Sequence, residues 1–494
     1  MAGFNTQSVR TKKPDTVNKD GHVAYSMGDH EKLVTQVLTT FFNEPKFYGD
    51  TSQELIDLAK KVCTVNPLFV AKLAIYARET MNMRTVSHVL AVIVCNASHN
   101  FLTPDFTGVP RRMANRLVIR GDDITNMLAA HRHGIYAGKP LPNSLRRGLR
   151  DALEGLNRIS IAKYQETDKV FTMADAIKIL RPKPASEAVA KEYKACLEGT
   201  LKVPESWKSA VSINEEGETK SWNELVAQNK LPYMAALRNI RNMLNDKTVT
   251  KETIKAVMQM LCDPKQVAKS RQLPFRYLTA YNAAMESSRC STMVTDALES
   301  AFDQSVANLP KLNGRTIVCI DVSGSMDTPV SKQSTVMCNE IAKQLGYVVA
   351  TMSDDAIVYT FDTRLTREDF SKRSGILSQV RALKSRGGGG TSMELPFEKA
   401  IAEKIECDRF VVLSDNVINS DGGRTVQSYA DNYRDKMGKN VWVHAIDMQG
   451  YGTQQFIGNR TNILAGWSEK ILEFIPLVEN AEGGLLERIN EVKI

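Results

Sequence analysis

The chain has 494 residues, 43% of them apolar and 24% charged, the composition of a globular protein long enough for two or three domains and a sizeable core. No long apolar run occurs and the first twenty residues are polar and basic, so neither a membrane span nor a signal peptide is expected and a cytoplasmic location is. The 8 cysteines are scattered without a C-x-x-C pair, which argues for reduced, buried thiols rather than disulfides or a zinc site.

The net charge of +8 divides unevenly. Residues 1–310 carry 42 Lys+Arg against 32 Asp+Glu, hence +10, whereas residues 311–494 carry 22 against 24, hence −2. A basic excess confined to the first part points to a polyanionic partner there, nucleic acid foremost, because phosphates neutralised by Lys and Arg release counterions. A solvated basic helical surface is the alternative.

In chain order, residues 1–28 lack periodicity and read as an N-terminal arm. From Asp29 to residue 308 the pattern is helical: Leu55, Leu58, Ala59 and Val62 share a face, and Asn66 and Pro67 cap and open a second helix carrying Phe69, Leu73 and Tyr76. Further helices are expected over Val89–Cys95, Arg111–Ile119, Ile124–Arg132, Ser144–Leu156 and Ala174–Leu180, the last closed by Pro182 and Pro184. A less patterned insertion spans about Ser206–Lys220, and Ser221 with Glu224 has the spacing of a capping box. Helices over Pro232–Leu244, Thr250–Leu261 and Pro274–Met285 follow. Helix pairs joined by short turns predict an all-α array of HEAT-like repeats, although no clean period is present.

The character changes at residue 309. Strand-like runs Thr316–Ile320, Ala356–Phe361, Arg409–Leu413 and Val441–Ile446 alternate with helices near Thr335–Val349, Glu394–Ile405, Val426–Lys436 and Lys470–Val478. This alternation predicts a multi-domain protein whose residues 309–494 form a doubly wound α/β domain, with its ligand site at the carboxyl ends of the strands.

At one such end stands Asp321-Val-Ser323-Gly-Ser325. A carboxylate and two hydroxyls at alternate positions are hard oxygen donors suited to a divalent cation, Mg²⁺ in particular. Downstream, the run Gly387–Gly390 leads into Thr391, and the strand over Phe410–Leu413 empties into Ser414-Asp415-Asn416. Three loops from one end of a sheet would gather Asp321, Ser323, Ser325, Thr391 and Asp415. The set resembles the metal-ion-dependent adhesion site of von Willebrand factor A domains; Ser392 departs from the acidic residue that many relatives carry.

The glycine run lacks a G-K-[ST] ending and no G-x-S-x-G elbow occurs, so nucleotide hydrolysis and serine catalysis are not supported. Two carboxylates with hydroxyls are also a thin set for two-metal cleavage. The expected role is binding, with an open coordination position free to accept a carboxylate from a protein partner.

The helical part resembles the TROVE domain of the Ro autoantigen proteins, through P14-D-T-V-N-K, F69-V-A-K-L-A-I-Y-A-R, P232-Y-M-A-A-L-R-N-I-R-N-M-L and L273-P-F-R-Y-L-T-A-Y-N-A-A, coupled to the D-V-S-G-S-M, G-G-T and S-D-N segments; the compact length is nearest to bacterial members. The resemblance implies a monomeric ring of HEAT-like helices clasped by the A-like domain. It implies binding of small Y-type RNAs on the outer face and of single-stranded ends of misfolded RNAs through the hole, in RNA quality control or decay with an exoribonuclease partner, and no enzymatic activity of its own. The alternative is a metal-dependent adaptor whose helices are only scaffold.

RNA contacts would fall on phosphates, 2′-hydroxyls and unstacked ends. Lys163 and Arg181 match the family stretch that meets Y RNA, although relatives carry His near Arg181. Arg146, Arg147, Arg150, Lys169, Lys178 and Lys183 would add phosphate contacts. Arg238, Arg241, Arg271 and Arg276 are candidates for the wall of the hole, as are Arg111, Arg112 and Arg116. Tyr277 and Tyr281 fit a core better than a base-stacking platform, and His131 with His133 make a poor metal site.

Overall fold

The computed structural model describes residues 13–18, 20–39, 50–100, 103–164, 169–201, 222–272, 274–307, 309–329, 337–383, 387–419, 424–465, 472, 474–480 and 485–494. The expected insertion at 206–220 and the cap at Ser221 lie outside them. The chain forms two compact units, Met27–Pro204 with Gly483–Ile494, and Met1–Ser26 with Glu205–Glu482.

The first unit is helical. Its centre is the pair Pro67–Glu79 and Thr85–Ala97, whose residues are buried on nearly every side. The Asn66 side chain accepts from Phe69 N at 3.0 Å and Pro67 opens the helix, satisfying donors that the first turn leaves without partners. Outer helices are amphipathic. In Asn143–Gly155 the apolar Leu145, Leu149, Ala152 and Leu153 are buried while Arg146 and Arg147 face solvent. Gly148 lets this helix approach Val109–Arg116, since a Cβ there would stand 2.5 Å from Arg111 O. Gly148→Ala is therefore expected to cost about 1–3 kcal/mol through overpacking, read as a shift in the urea midpoint. Leu485–Asn490 packs on Pro67–Glu79, and Lys72 donates to Asn490 O.

The second unit takes in the N-terminal segment, then helices and then a sheet. The expected single helix over Pro232–Leu244 is two, Tyr233–Arg238 and Ile240–Asn245, broken at Asn239 (φ −106°, ψ 12°). Pro274–Met285 appears as expected. Among the described residues nine strands run in chain order: β1 Thr16–Val17, β2 Val23–Ser26, β3 Leu312–Asp321, β4 Ser353–Phe361, β5 Leu365–Glu368, β6 Arg409–Ser414, β7 Trp442–Asp447, β8 Thr453–Gln454 and β9 Thr461–Ala465. The larger sheet has the order β5-β4-β3-β6-β7-β9 and is parallel except for β5.

Helix Cys338–Met352 covers one face, with Gly346 against Ile320 and Val318. Helices Leu395–Ala402 and Val426–Met437 cover the other, where Phe397, Ala400, Ala430 and Tyr433 pack on Ile317, Cys319, Phe410 and Val412. Burial on both faces is why these strands read as continuous apolar runs. The N-terminal segment, read as an arm, is strand in part: β1 and β2 form a small antiparallel sheet with β8, and Asn18 Nδ2 donates to Ile418 O at 2.8 Å.

Candidate cation and polyanion sites

The carboxyl end of β3 is the centre of the α/β site. Asp321 is buried, its Oδ1 accepts from Ser323 N at 2.9 Å and its Oδ2 accepts from Ser414 Oγ at 2.6 Å. Ser323 Oγ and Ser325 Oγ lie 3.1 Å apart. The glycine run is explained by close approach. Gly387, Gly388 and Gly389 have φ of 69°, 103° and 78°, a region that side-chain-bearing residues avoid. Gly388 N donates to Val322 O at 2.8 Å, and Gly389 O accepts from Gly324 N at 3.1 Å. Thr391 follows, buried, its N–H bonded to Asn419 Oδ1 and its carbonyl accepting from Asn419 N at 3.2 Å. The three expected loops thus lie against one another. Asp415 is buried, its Oδ1 accepting from Val417 N at 3.1 Å.

Burial and then the neighbouring Asp415 push the Asp321 carboxyl up to about 7. Two carboxylates crowded in a buried pocket beside hydroxyls are costly by themselves and match the hard, oxygen-preferring chemistry of a small dication. The donor set therefore fits Mg²⁺. Sequence reasoning missed a buried acid beside these loops. Asp447 at the end of β7 pairs with Ser414 in the strand register and is pushed up to about 6 by burial and by Asp415. Its strand was expected to end at Ile446, one residue early, although an Asp directly after an apolar run is the signal that marked Asp321.

The basic candidates separate into exposed and committed groups. Arg146, Arg147, Lys163, Lys169, Lys178, Arg181 and Lys183 are exposed. Helices Asn143–Gly155 and Met173–Leu180 are lashed together by Arg150 Nε on Leu180 O at 2.8 Å and by Lys183 N on Glu154 Oε1 at 2.7 Å. Arg150 is consequently a structural tie, whereas Arg146, Arg147 and Lys178 project from two adjoining helices. Arg181 caps the second in the left-handed region, φ 52°, and Lys163 Nζ sits 5.4 Å from the Tyr164 ring centroid.

Arg238, Arg241, Arg271 and Arg276 belong to the other compact unit and are exposed; Arg241 pairs with Glu286 at 2.8 Å. Arg111 and Arg116 are held by two-point pairs with Asp151 and Glu79, shortest distances 2.6 Å in each. Tyr277 is wholly buried and bonded to Tyr233 at 2.9 Å. Tyr281 is buried under the Arg381 guanidinium, 4.2 Å from its ring centroid. His131 is buried, with Nε2 3.3 Å from Asn96 Oδ1.

A helical region followed by a doubly wound domain with a D-x-S-x-S loop defines the architecture of a TROVE domain joined to a von Willebrand factor A-like domain. The chain matches the TROVE domain family over residues 194–293 and the Ro60 vWA domain family over residues 315–455. It is 26% identical over 268 residues to the RNA-binding protein RO60 of Deinococcus radiodurans, a match covering 52% of this chain and 48% of that protein. It is 25% identical over 194 residues to the RNA-binding protein RO60 of Caenorhabditis elegans, covering 38% and 30%. The chain thus spans about half the length, or less, of these curated relatives. The crystal structure of the Deinococcus radiodurans RO (RSR) protein has the same fold, with a TM-score of 0.64 at 18% identity over 92% of this chain and 100% of that one. The chain is thus similar to Ro proteins in both of its parts.

No helix among the described residues is long and apolar enough to cross a membrane.

Proposed function

We propose that this protein binds RNA: small structured RNA of the Y type on the basic helical face, and single-stranded ends of misfolded RNA, delivering them in the cytoplasm to quality control or decay with an exoribonuclease partner. It acts by binding, not catalysis. The observation that carries this reading is the exposed set Arg146, Arg147, Lys178, Arg181 and Lys183 on two helices fixed to each other and the turn that follows the second, in the part of the chain that carries all the basic excess. Two relatives bearing the name RNA-binding protein support it. About five phosphate contacts would give an affinity for structured RNA that falls roughly 100- to 500-fold between 50 and 200 mM salt. A filter-binding titration across salt checks this, and binding that is absent or insensitive to salt contradicts it.

Beside this stands a second role for the α/β lobe, favoured by the crowding of buried carboxylates and hydroxyls at the end of β3. In it Asp321, Ser323, Ser325, Thr391 and Asp415 hold Mg²⁺, and the cation presents an electrophilic position to a carboxylate of a protein partner. Ser325→Ala, which removes one neutral oxygen, is expected to weaken Mg²⁺ binding about tenfold while leaving RNA affinity unchanged. Calorimetric titration with Mg²⁺ reads the first and filter binding the second; unchanged Mg²⁺ affinity removes Ser325 from the set.

A further inference from the structure

The opposite end of the same sheet, where the parallel strands begin, holds a cavity of about 310 Å³. Its charged walls are Lys311, Arg409, Lys439 and Arg460 against Asp408 and Glu479. Two of the cations are answered. Arg409, 3% exposed, makes a two-point pair with Glu479 at 2.6 and 2.8 Å, and Glu479 also meets His444 Nε2 at 2.9 Å. Lys439 Nζ meets Asp408 Oδ1 at 2.8 Å.

The other two are not answered by acids. Lys311 makes no ion pair among the described residues. Arg460 is held in position: its carbonyl accepts from Val443 N at 2.9 Å, its backbone is left-handed at φ 54°, and its guanidinium lies 5.5 Å from the Trp442 ring centroid with Nη1 on Asn440 O at 3.1 Å. A bulky residue kept in that backbone region is a sign of a constrained position. Among the described residues the hollow therefore carries two cations that no acid pairs, in a stretch, residues 311–494, whose net charge is −2, so the local sign is not the background of the lobe.

We propose that this hollow binds a phosphate monoester dianion. Such a group bears a charge of about −1.5 to −2 near neutral pH, which the pair Lys311 and Arg460 matches, and a guanidinium fork suits its oxygens. The volume equals that of roughly ten waters and stands at the lower end of the range for small-ligand pockets. It accommodates the phosphate with the sugar that carries it. The phosphoryl group could come from a free nucleotide or from the 5′ end of an RNA, and the experiment distinguishes the two.

Full-length protein is titrated calorimetrically with inorganic phosphate, AMP and adenosine. Phosphate and AMP are expected to bind saturably and adenosine not to bind. Lys311→Glu, at an exposed position, is expected to weaken AMP at least about tenfold with an unchanged melting temperature, while Lys311→Arg retains binding. Filter binding then compares a 5′-phosphorylated with a 5′-hydroxyl oligonucleotide. A preference for the phosphorylated one that Lys311→Glu abolishes assigns the RNA end, and equal affinities with AMP binding intact assign the free nucleotide. No saturable phosphate or AMP binding at millimolar concentration, or AMP binding that Lys311→Glu leaves unchanged, overturns the proposal.

Discussion

Changing Arg146, Arg147 and Lys178 together to glutamate is expected to lower the affinity for structured small RNA by about a hundred- to thousandfold, and to reduce the slope of log affinity against log salt by two to three. A solvent-exposed phosphate contact is taken at about 1–1.5 kcal/mol, the upper part of the net range for an ordinary hydrogen bond, and each cation contributes roughly one unit of slope. All three side chains are exposed, and the one side-chain hydrogen bond that Arg146 makes among the described residues, Nη2 to Asn143 Oδ1 at 2.8 Å, closes on its own helix. The variant should therefore melt like the parent. Arg150 is left alone because it bonds Leu180 O and its loss would unfasten the two helices. An RNA affinity unchanged in the triple variant, measured by filter binding, removes this face from the interface.

The second large effect concerns what holds the helical unit together. Asp123 is wholly buried and gathers Arg78 Nη2 at 2.8 Å, Arg84 Nε at 2.5 Å and His88 Nε2 at 3.2 Å, together with the backbone N–H groups of Ile119 and Arg120 at 3.0 and 2.8 Å. Burial opposes its ionisation, yet His88, Arg84 and Arg78 hold the carboxyl well below the usual range. Asp123→Ala leaves Arg78 buried without its counter-charge and should cost about 3–5 kcal/mol, read by urea denaturation.

The same network sets a pH dependence. Burial lowers the affinity of His88 for a proton, so the unfolded chain takes up a proton that the folded one declines, and stability falls as pH drops below about 6.5. The Asp123 contribution is fully present above the unfolded carboxylate value near 3.9 and is lost as pH falls toward its depressed folded value. A change in the urea midpoint between pH 7 and 5 that His88→Gln leaves unaltered contradicts the buried-neutral assignment of His88.

The central strands and their loops were legible because burial on both faces leaves an uninterrupted apolar run, and because the metal-type loops keep their donors within five residues. The cap of Pro67–Glu79 was legible for the same local reason. What pairs across distance was not. Arg111, Arg116 and Arg241 read as free cations, yet their partners Asp151, Glu79 and Glu286 stand 40, 37 and 45 positions away in sequence, beyond any helical spacing. β5 and β8 are short, and the N-terminal strands β1 and β2 become strands only by pairing with each other and with β8, so neither carries a period of its own. Arg150 looked like its neighbours Arg146 and Arg147; only the approach of Leu180 O makes it a tie.

The proposed division of labour puts the phosphates of structured RNA on the helical region and at most a single terminal phosphate on the α/β lobe. Ultraviolet cross-linking of the full chain to a structured small RNA, mapped by mass spectrometry, tests this most directly. Adducts are expected to cluster on residues 143–155 and 173–183 and to be sparse beyond residue 311. Adducts concentrated on residues 311–494, with none on those helices, would contradict it.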